Sequence, residues 1–330
     1  MRSRARTSVV LLAMLSATML LCSTSKDLAF LQERVSVAEH TVFLLGIFTT
    51  STERTRRDDI RETYLKWQGD SIVCTLRAYL SGVSQKNCVI VYAFVLGGNP
   101  SGHTFADNSE QLEVLPETLL AQGVDMEADV IYLNIKENMN HGKTPTWFKY
   151  ASSLCRTKKI DYVGKIDSDT FLHIDSFVTH IHRDLPPRPS HGSDGRKRYG
   201  GLLREYNSCG SETHCKLLEE RAYMSGQFYY VSSDVADFIS QPKTSKPYVV
   251  GFEDIDFSFL VFAMPEAINL VVVSSEVMWL HNADTKSDIW WKNMRAGSSS
   301  ARVFPFRGEV LTRVDECLSA NWPEWSGCAG

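Results

Sequence analysis

The 330-residue sequence has no long block of a single charge sign, and its formal net charge is only −4. A nucleic-acid-binding surface needs a basic excess, so nucleic acid is not an expected partner. No two cysteines stand with two residues between them, which removes the usual spacing of a structural zinc site. No Asn-x-Ser/Thr triplet with x other than proline occurs, so the chain offers no N-glycosylation acceptor. Internal repeats and low-complexity tracts are missing as well, which excludes repeat arrays. What remains is an ordinary globular composition, 43% hydrophobic, able to bury the core of one large domain or two small ones.

One long apolar run exists, at the N-terminus. "MRSRAR" sets three arginines before Val9 to Cys22, "VVLLAMLSATMLLC". This layout suits a cleaved signal peptide, with the small residues of "CSTS" at the cut. It suits a membrane anchor equally, since Thr7 to Ser23 as a helix spans about 25 Å at about 1.5 Å per residue. For an anchor, residues 1–6 form the cytosolic tail, 7–23 the span, 24–40 a short stem and 41–330 a lumenal domain, because the arginines hold the N-terminus in the cytosol. Both alternatives send the body into the secretory pathway. Of eight cysteines, Cys22 falls in the apolar run, leaving an odd seven. Cys209/Cys215 and Cys317/Cys328 are close enough for small disulfide loops, whereas Cys74, Cys88 and Cys155 cannot be paired from sequence.

Along the body, "TVFLLGIFTT" (41–50), "CVIVYAFVLGG" (88–98), "DVIYLNI" (129–135) and "IDYVGKI" (160–166) read as strands covered on both faces. Thr50 with Glu53 fits a capping box, and the segment to Trp67 reads as one charged helix. Between the second and third strands the pattern is helical but broken by Pro116. Thr144 reads as a helix cap with Pro145 at the first helical position. The segment 186–198, "PPRPSHGSDGRKR", is Pro/Gly/Ser-rich and basic and reads as a surface loop rather than a domain boundary. A helix over "SDVADFI", the segment "GFEDIDFSFLVFAM" and the apolar run "INLVVVSS" follow. Strands alternating with helices predict a mainly parallel sheet.

Two Asp-x-Asp pairs occur, Asp167/Asp169 and Asp254/Asp256, where twenty aspartates predict about one by chance. Asp167 and Asp169 follow a buried strand, and open parallel sheets bind ligands beyond the carboxyl ends of their strands. Two carboxylates there suit a hard divalent cation, Mg²⁺ or Mn²⁺, that grips phosphates. The alternative is a solvated turn.

Several stretches in order resemble one family, glycosyltransferase family 31, the Fringe-related β-1,3-galactosyl- and N-acetylglucosaminyltransferases. "RRDDIRETYL" is similar to its Arg-x-x-Ile-Arg-x-Thr-Trp box, and "KIDSDTFLHID" to its Lys-x-Asp-x-Asp-x-Phe motif. "YMSGQFYYVSSDVA" resembles the acceptor-side Tyr-Cys-Ser-Gly segment, and "FEDIDFS" stands where Glu-Asp-Val-x-x-Gly belongs. "LHNADTKSDIWWKNM" resembles the closing His segment. Tyr64, Met224, Gln227 and Ser258 depart from the usual Trp, Cys, Gly and Gly.

The resemblance implies a GT-A type nucleotide-diphospho-sugar transferase fold, α/β with a mainly parallel sheet flanked by helices. It implies an inverting transfer of Gal or GlcNAc from UDP-Gal or UDP-GlcNAc to a glycan on a glycoprotein or glycolipid, in β-1,3 linkage. By carry-over Asp169 binds the metal directly, Asp167 contacts the metal or the ribose, and His281 completes the site, its imidazole favouring Mn²⁺ over Mg²⁺. Asp254 is the general base, with Asp256 as substitute, and the like charges of Glu253 and Asp256 raise its basicity; without the resemblance the three acids read equally as the favourable first turn of a helix. Arg57, Arg61, Lys143 and Lys165 are donor-side candidates, although Arg57 and Arg61 serve equally as a solvated salt-bridge face. Tyr223, Ser225, Gly226 and Glu253 are acceptor-side candidates, and Phe228 and Tyr229 are either sugar-stacking rings or core. The family's placement is a single-pass type II Golgi membrane protein. The competing expectation is a secreted or anchored carbohydrate-binding protein, or an inactive relative, whose aspartates hold a structural Ca²⁺.

Overall fold

The computed structural model describes residues 40–67, 72–82, 88–102, 111–140, 142–187, 197–204, 223–241, 252–273, 278–281 and 285–295. The expected span at 7–23, most of the stem, residues 188–196 of the basic loop, and Cys209, Cys215, Cys317 and Cys328 lie outside them. Among the described residues no helix is long and apolar enough to cross a membrane.

The central strand β1 (Phe43–Phe48) is buried at every position. It pairs in parallel with β3 (Ile90–Gly97) on one side and with β5 (Tyr162–Asp167) on the other, so that Phe48 lies level with Val95 and Asp167. The first half of β3 also receives β2 (Val73–Thr75) and its second half β4 (Val130–Leu133), both parallel. Beyond β5 the pattern changes. Strand β8 (Tyr223–Ser232) runs antiparallel to β5 and to β7 (Arg198–Arg204), and β9 (Asn269–Val272) runs parallel to β7. This eight-stranded sheet is therefore mainly parallel, with β8 as the reversal. Outside it, β6 (Phe171–Leu172) and β10 (Trp279–Leu280) form a short antiparallel pair.

Apolar runs without alternation make sense because both faces are covered. Leu44 and Phe48 of β1 join Trp147, Phe148, Tyr229 and Phe257 in one core layer, while Phe43, Leu45 and Ile47 join Ile60, Tyr64, Phe177 and Trp291 in the other. These layers lie under α5 (Lys143–Thr157) and α8 (Glu253–Phe262) on one face, and under α1 (Arg54–Glu62), α6 (Ile174–Asp184) and α9 (Asp288–Arg295) on the other. Each fully buried Phe of this kind contributes roughly 1.5–3 kcal/mol by area. Glycine at position 46 is a packing requirement, since a Cβ there would fall 2.5 Å from the Trp147 ring.

Four local expectations are corrected. The charged helix does not run unbroken from Glu53 to Trp67: α1 stops at Glu62, and a short α2 (Tyr64–Trp67) follows. The Thr63 hydroxyl donates back to the Asp59 carbonyl at 2.6 Å, and backbone competition of this kind bends or ends a helix. The surface of α1 is only partly solvated, for Arg56, Arg57, Asp59 and Ile60 are buried while Arg54 and Thr55 are exposed. Thr144 is not a cap. Gly142 with φ 128° caps α5, and Thr146 N–H donates the first helical bond to the Gly142 carbonyl at 3.1 Å, so Thr144 and Pro145 lie inside the first turn. Pro116 does not break helical material but opens α4 (Pro116–Ala121), where a missing N–H is harmless. The capping box at Thr50 and Glu53 is present and heads a single 3₁₀ turn before α1. Cys74 and Cys88, left open by sequence, form a disulfide, and Cys155 is buried outside any disulfide among the described residues.

Candidate active site

Parallel pairing in register delivers the ends of β1, β3 and β5 to one rim. Asp167 ends β5, and the Thr170 N–H bonds back to the Asp167 carbonyl at 3.0 Å, closing the Asp-Ser-Asp turn. Glu53 holds that turn from the neighbouring strand. Its Oε1 accepts from the Ser168 hydroxyl at 3.1 Å, while Oε2 accepts from the Thr50 N–H at 2.8 Å. The capping residue of the first turn thus also anchors the middle of Asp-x-Asp, a role visible only once β1 and β5 are neighbours.

His281 reaches this turn through the β6/β10 ladder, which sets Leu280 opposite Phe171. Its Nδ1 lies 2.9 Å from Thr170 Oγ1 and 3.3 Å from Asp169 Oδ1. Burial works to raise the Asp169 carboxyl, but the bond and charge of His281 hold it below its ordinary value. Asp167, in contrast, gives Oδ1 to Lys165 Nζ at 2.8 Å. Burial, countered by Lys165 and assisted by Glu253, leaves its carboxyl pushed up to about 6. The expected three-ligand set is therefore not assembled. Asp169 and His281 touch, Asp167 is turned toward Lys165, and among the described residues no three His, Cys, Asp or Glu groups gather closely enough to hold a cation.

A divalent metal nevertheless suits what is present. A carboxylate one-third exposed and an imidazole beside it offer the oxygen and nitrogen donors that Mn²⁺ would accept.

The four donor-side cations are consumed by protein partners. Arg57 gives Nε and Nη2 to Glu127 and Nη1 to the Thr50 carbonyl at 2.6 Å. Arg61 pairs with Asp58, Glu127 and Asp129 and lies 4.8 Å over the Phe94 ring. Together they brace α1 against the loop before β4 as a salt-bridge network that is partly buried rather than fully solvated. Lys143 Nζ donates to the Thr49 carbonyl at 2.6 Å and to Glu137 at 2.8 Å, and burial lowers its ammonium pKa. Lys165 Nζ serves Asp167, Glu253 and the Gly226 carbonyl. Burial opposes its charge, yet Asp167 and Glu253 hold it above its ordinary value. A cleft of about 490 Å³ opens beside this rim, lined by Ser51, Arg57, Gly97, Tyr132 and Glu137 among others, and the Asp-x-Asp turn is not part of its lining.

Asp254 stands in the first turn of α8, half-buried. Its Oδ2 accepts from the Gly226 N–H and its Oδ1 from the Ile255 N–H, each at 2.9 Å. Burial, then the charge of Glu253, raises its carboxyl above the ordinary value. Glu253 is bound by protein donors at both of its oxygens. The Thr144 hydroxyl reaches its Oε1 at 2.5 Å, the Tyr229 hydroxyl bonds the same oxygen, and Lys165 takes Oε2 at 3.2 Å. Ser225 and Gly226 are half-buried on β8, and Tyr223 packs beside Ile255 and Phe259 of α8. Phe228 and Tyr229 are core, the first against Trp279 and the second against Phe257, so neither is a sugar platform. Asp256 is half-buried on the same helix.

The family departures fall in the interior. Tyr64 packs edge-on against Phe171, Met224 is fully buried, and the Ser258 hydroxyl bonds the Ile255 carbonyl. Gln227 accepts from Trp279 Nε1 at 3.1 Å and so steadies the strand that carries His281. Arg56, outside any expectation, ties α1 to α9 through Asp288 and the Thr285 carbonyl.

A mainly parallel α/β sheet ending in an Asp-x-Asp turn, faced by a helix N-terminus rich in carboxylates, defines a GT-A type glycosyltransferase. Residues 55–261 match the family model described as Galactosyltransferase, and the chain belongs to that family. No curated protein matches the chain in sequence. Among solved structures, a glycosyltransferase involved in glycosylation of the major capsid of PBCV-1 is 11% identical with a TM-score of 0.32, covering 78% of this chain and 99% of that one. HddC from Yersinia pseudotuberculosis is 12% identical with a TM-score of 0.31 over the same shares. GlyE from Streptococcus pneumoniae TIGR4 is 9% identical with a TM-score of 0.32, covering 82% and 66%. Likenesses this distant carry no argument.

Proposed function

We propose that the protein is a metal-dependent inverting glycosyltransferase that moves Gal or GlcNAc from a UDP-sugar to a glycan acceptor on a glycoprotein or glycolipid, in β-1,3 linkage. The observation that carries this reading is Asp254: a carboxylate oriented by two backbone N–H groups, with its basicity raised, across β8 from the Asp-x-Asp strand. Each Asp254 oxygen accepts one bond, leaving lone pairs for an acceptor hydroxyl. In the transfer, the acceptor oxygen bonds the anomeric carbon as its proton passes to Asp254, and the bond from that carbon to the β-phosphate oxygen breaks. Asp169 and His281 would hold Mn²⁺, or Mg²⁺ in its place, which when bound neutralises the charge gained by the leaving UDP.

The reading extends to location. A Cys74–Cys88 disulfide suits an oxidising compartment, and the same reading takes the body as lumenal, anchored by residues 7–23 as a type II Golgi protein.

Asp254→Asn tests the role of the base. Transfer is expected to fall by about 100-fold or more while UDP-sugar affinity by calorimetry is kept; full turnover in the variant would retire Asp254. EDTA is expected to abolish transfer and Mn²⁺ to restore it. Glycan binding that needs Ca²⁺, with no response to UDP, would establish the carbohydrate-binding alternative instead.

A further inference from the structure

Lys165 has three ammonium protons, and all three have destinations within the protein: Asp167 Oδ1 at 2.8 Å, Glu253 Oε2 at 3.2 Å and the Gly226 carbonyl at 2.5 Å. The group is buried, with its Nζ 5.4 Å from the centre of the Phe48 ring and 5.5 Å from that of Tyr229. It therefore cannot also reach a phosphate without giving up one of these bonds. What it does join is the donor-side strand end and the residue on which the base leans. Gly226 is held at both backbone atoms, its carbonyl by Lys165 and its N–H by Asp254.

Glu253 is the other half of this arrangement. Three donors from three elements converge on its carboxylate: Thr144 of α5, Tyr229 of β8 and Lys165 of β5. Nothing of this kind is needed to begin a helix, where a single side-chain oxygen suffices. The effect is to fix the first residue of α8, and with it the direction in which the next residue, Asp254, points. Gly226 has Glu253 and Asp254 at equal distance: a Cβ at that position would meet an oxygen of each at 3.4 Å.

Resting on Asp254 as the base, we propose that Glu253 is a positioning residue, clamped by Lys165, Thr144 and Tyr229, that fixes Asp254 against Gly226 and contacts neither sugar. A base displaced by about 1 Å loses on the order of 100-fold in rate, so the clamp is expected to show in turnover rather than in binding.

Glu253→Gln keeps volume and keeps an oxygen for Thr144 and Tyr229, but sets an amide N–H₂ against the Lys165 ammonium. The expected result is a fall of about 100-fold in kcat with donor and acceptor KM unchanged. Thr144→Val, which removes one donor and leaves the Lys165 bonds intact, is expected to give a smaller fall of the same type. In the Asp254→Asn background Glu253→Gln should bring no further loss, because both changes act through one group. A rise confined to acceptor KM would make Glu253 a direct acceptor contact and overturn the proposal. So would unchanged kcat in soluble, folded Glu253→Gln and Thr144→Val proteins. An inactive Asp254→Asn beside a normal Glu253→Gln sinks the positioning role alone, whereas a fully active Asp254→Asn sinks the functional reading beneath it.

Discussion

At the scale of single residues, Asp254 is held in a state that favours function over stability. Its carboxyl is raised by burial and by Glu253 from an ordinary 3.8. A raised carboxyl in the folded state binds its proton more tightly than in the unfolded chain, so the stability linked to it is present at low pH and lost as pH climbs through the folded value. Two results follow. The acid limb of kcat/KM should fall at a higher pH than an ordinary carboxyl would set, measured from pH–rate profiles with saturating metal. In urea denaturation, the stability difference between Asp254→Asn and wild type should move in favour of Asn as pH rises above the ordinary carboxyl value of 3.8. A difference constant with pH would show that the carboxyl titrates normally.

At the scale of elements, α1 is attached to the sheet by charge more than by apolar contact. Arg57 has 3% of its side chain exposed and Glu127 8%, and Arg61 reaches the same carboxylate. Removing one member of a buried pair leaves the other charge uncompensated, so Glu127→Gln is expected to lower stability by about 3 kcal/mol in chemical denaturation. Burial raises the Glu127 carboxyl, but the bonds from Arg57 and Arg61 outweigh it and hold the carboxyl below 4.5. With the folded value depressed, the contribution is present above the unfolded value and lost as pH falls through the folded one. Glu127→Gln should therefore flatten part of the acid limb of the wild-type stability curve. The same network explains why a helix reading as solvated is half-buried. Its charges are paired through tertiary contacts that begin some seventy residues away, at Glu127 and Asp129.

At the scale of the whole molecule, the sheet's outer edge is stapled by the disulfide between Cys74 of β2 and Cys88, two residues before β3. A bridge closing a loop of this size contributes about 3 kcal/mol. A Cys74→Ser/Cys88→Ser protein is expected to lose about that much stability while its Asp254-dependent transfer persists at lower temperature, read by melting and by activity at two temperatures. The staple lies on the β3 side of β1, and the Asp169–His281 contact on the β5 side, held by the β6/β10 pair.

Much of this was legible without coordinates. Apolar runs covered on both faces marked β1, β3, β4 and β5, and the capping box at Thr50 and Glu53 marked the turn after β1. Asp167 and Asp169 fell at a strand end, and the acidic triplet at 253–256 marked a helix start. These are local properties, set by backbone propensity and by the periodicity of burial. What the tertiary structure alone decided is how each polar group spends its bonds. Lys165, Lys143, Arg57 and Arg61 read from sequence as donor-side candidates, the two arginines equally as a salt-bridge face, and in the fold they pair with Glu253, Glu137 and Glu127, while Glu53 was a capping residue before it was an anchor for Ser168. A side chain's partners depend on which distant segments the sheet order brings within about 3 Å, and hydrogen bonds of that length carry no trace in the spacing of residues along the chain.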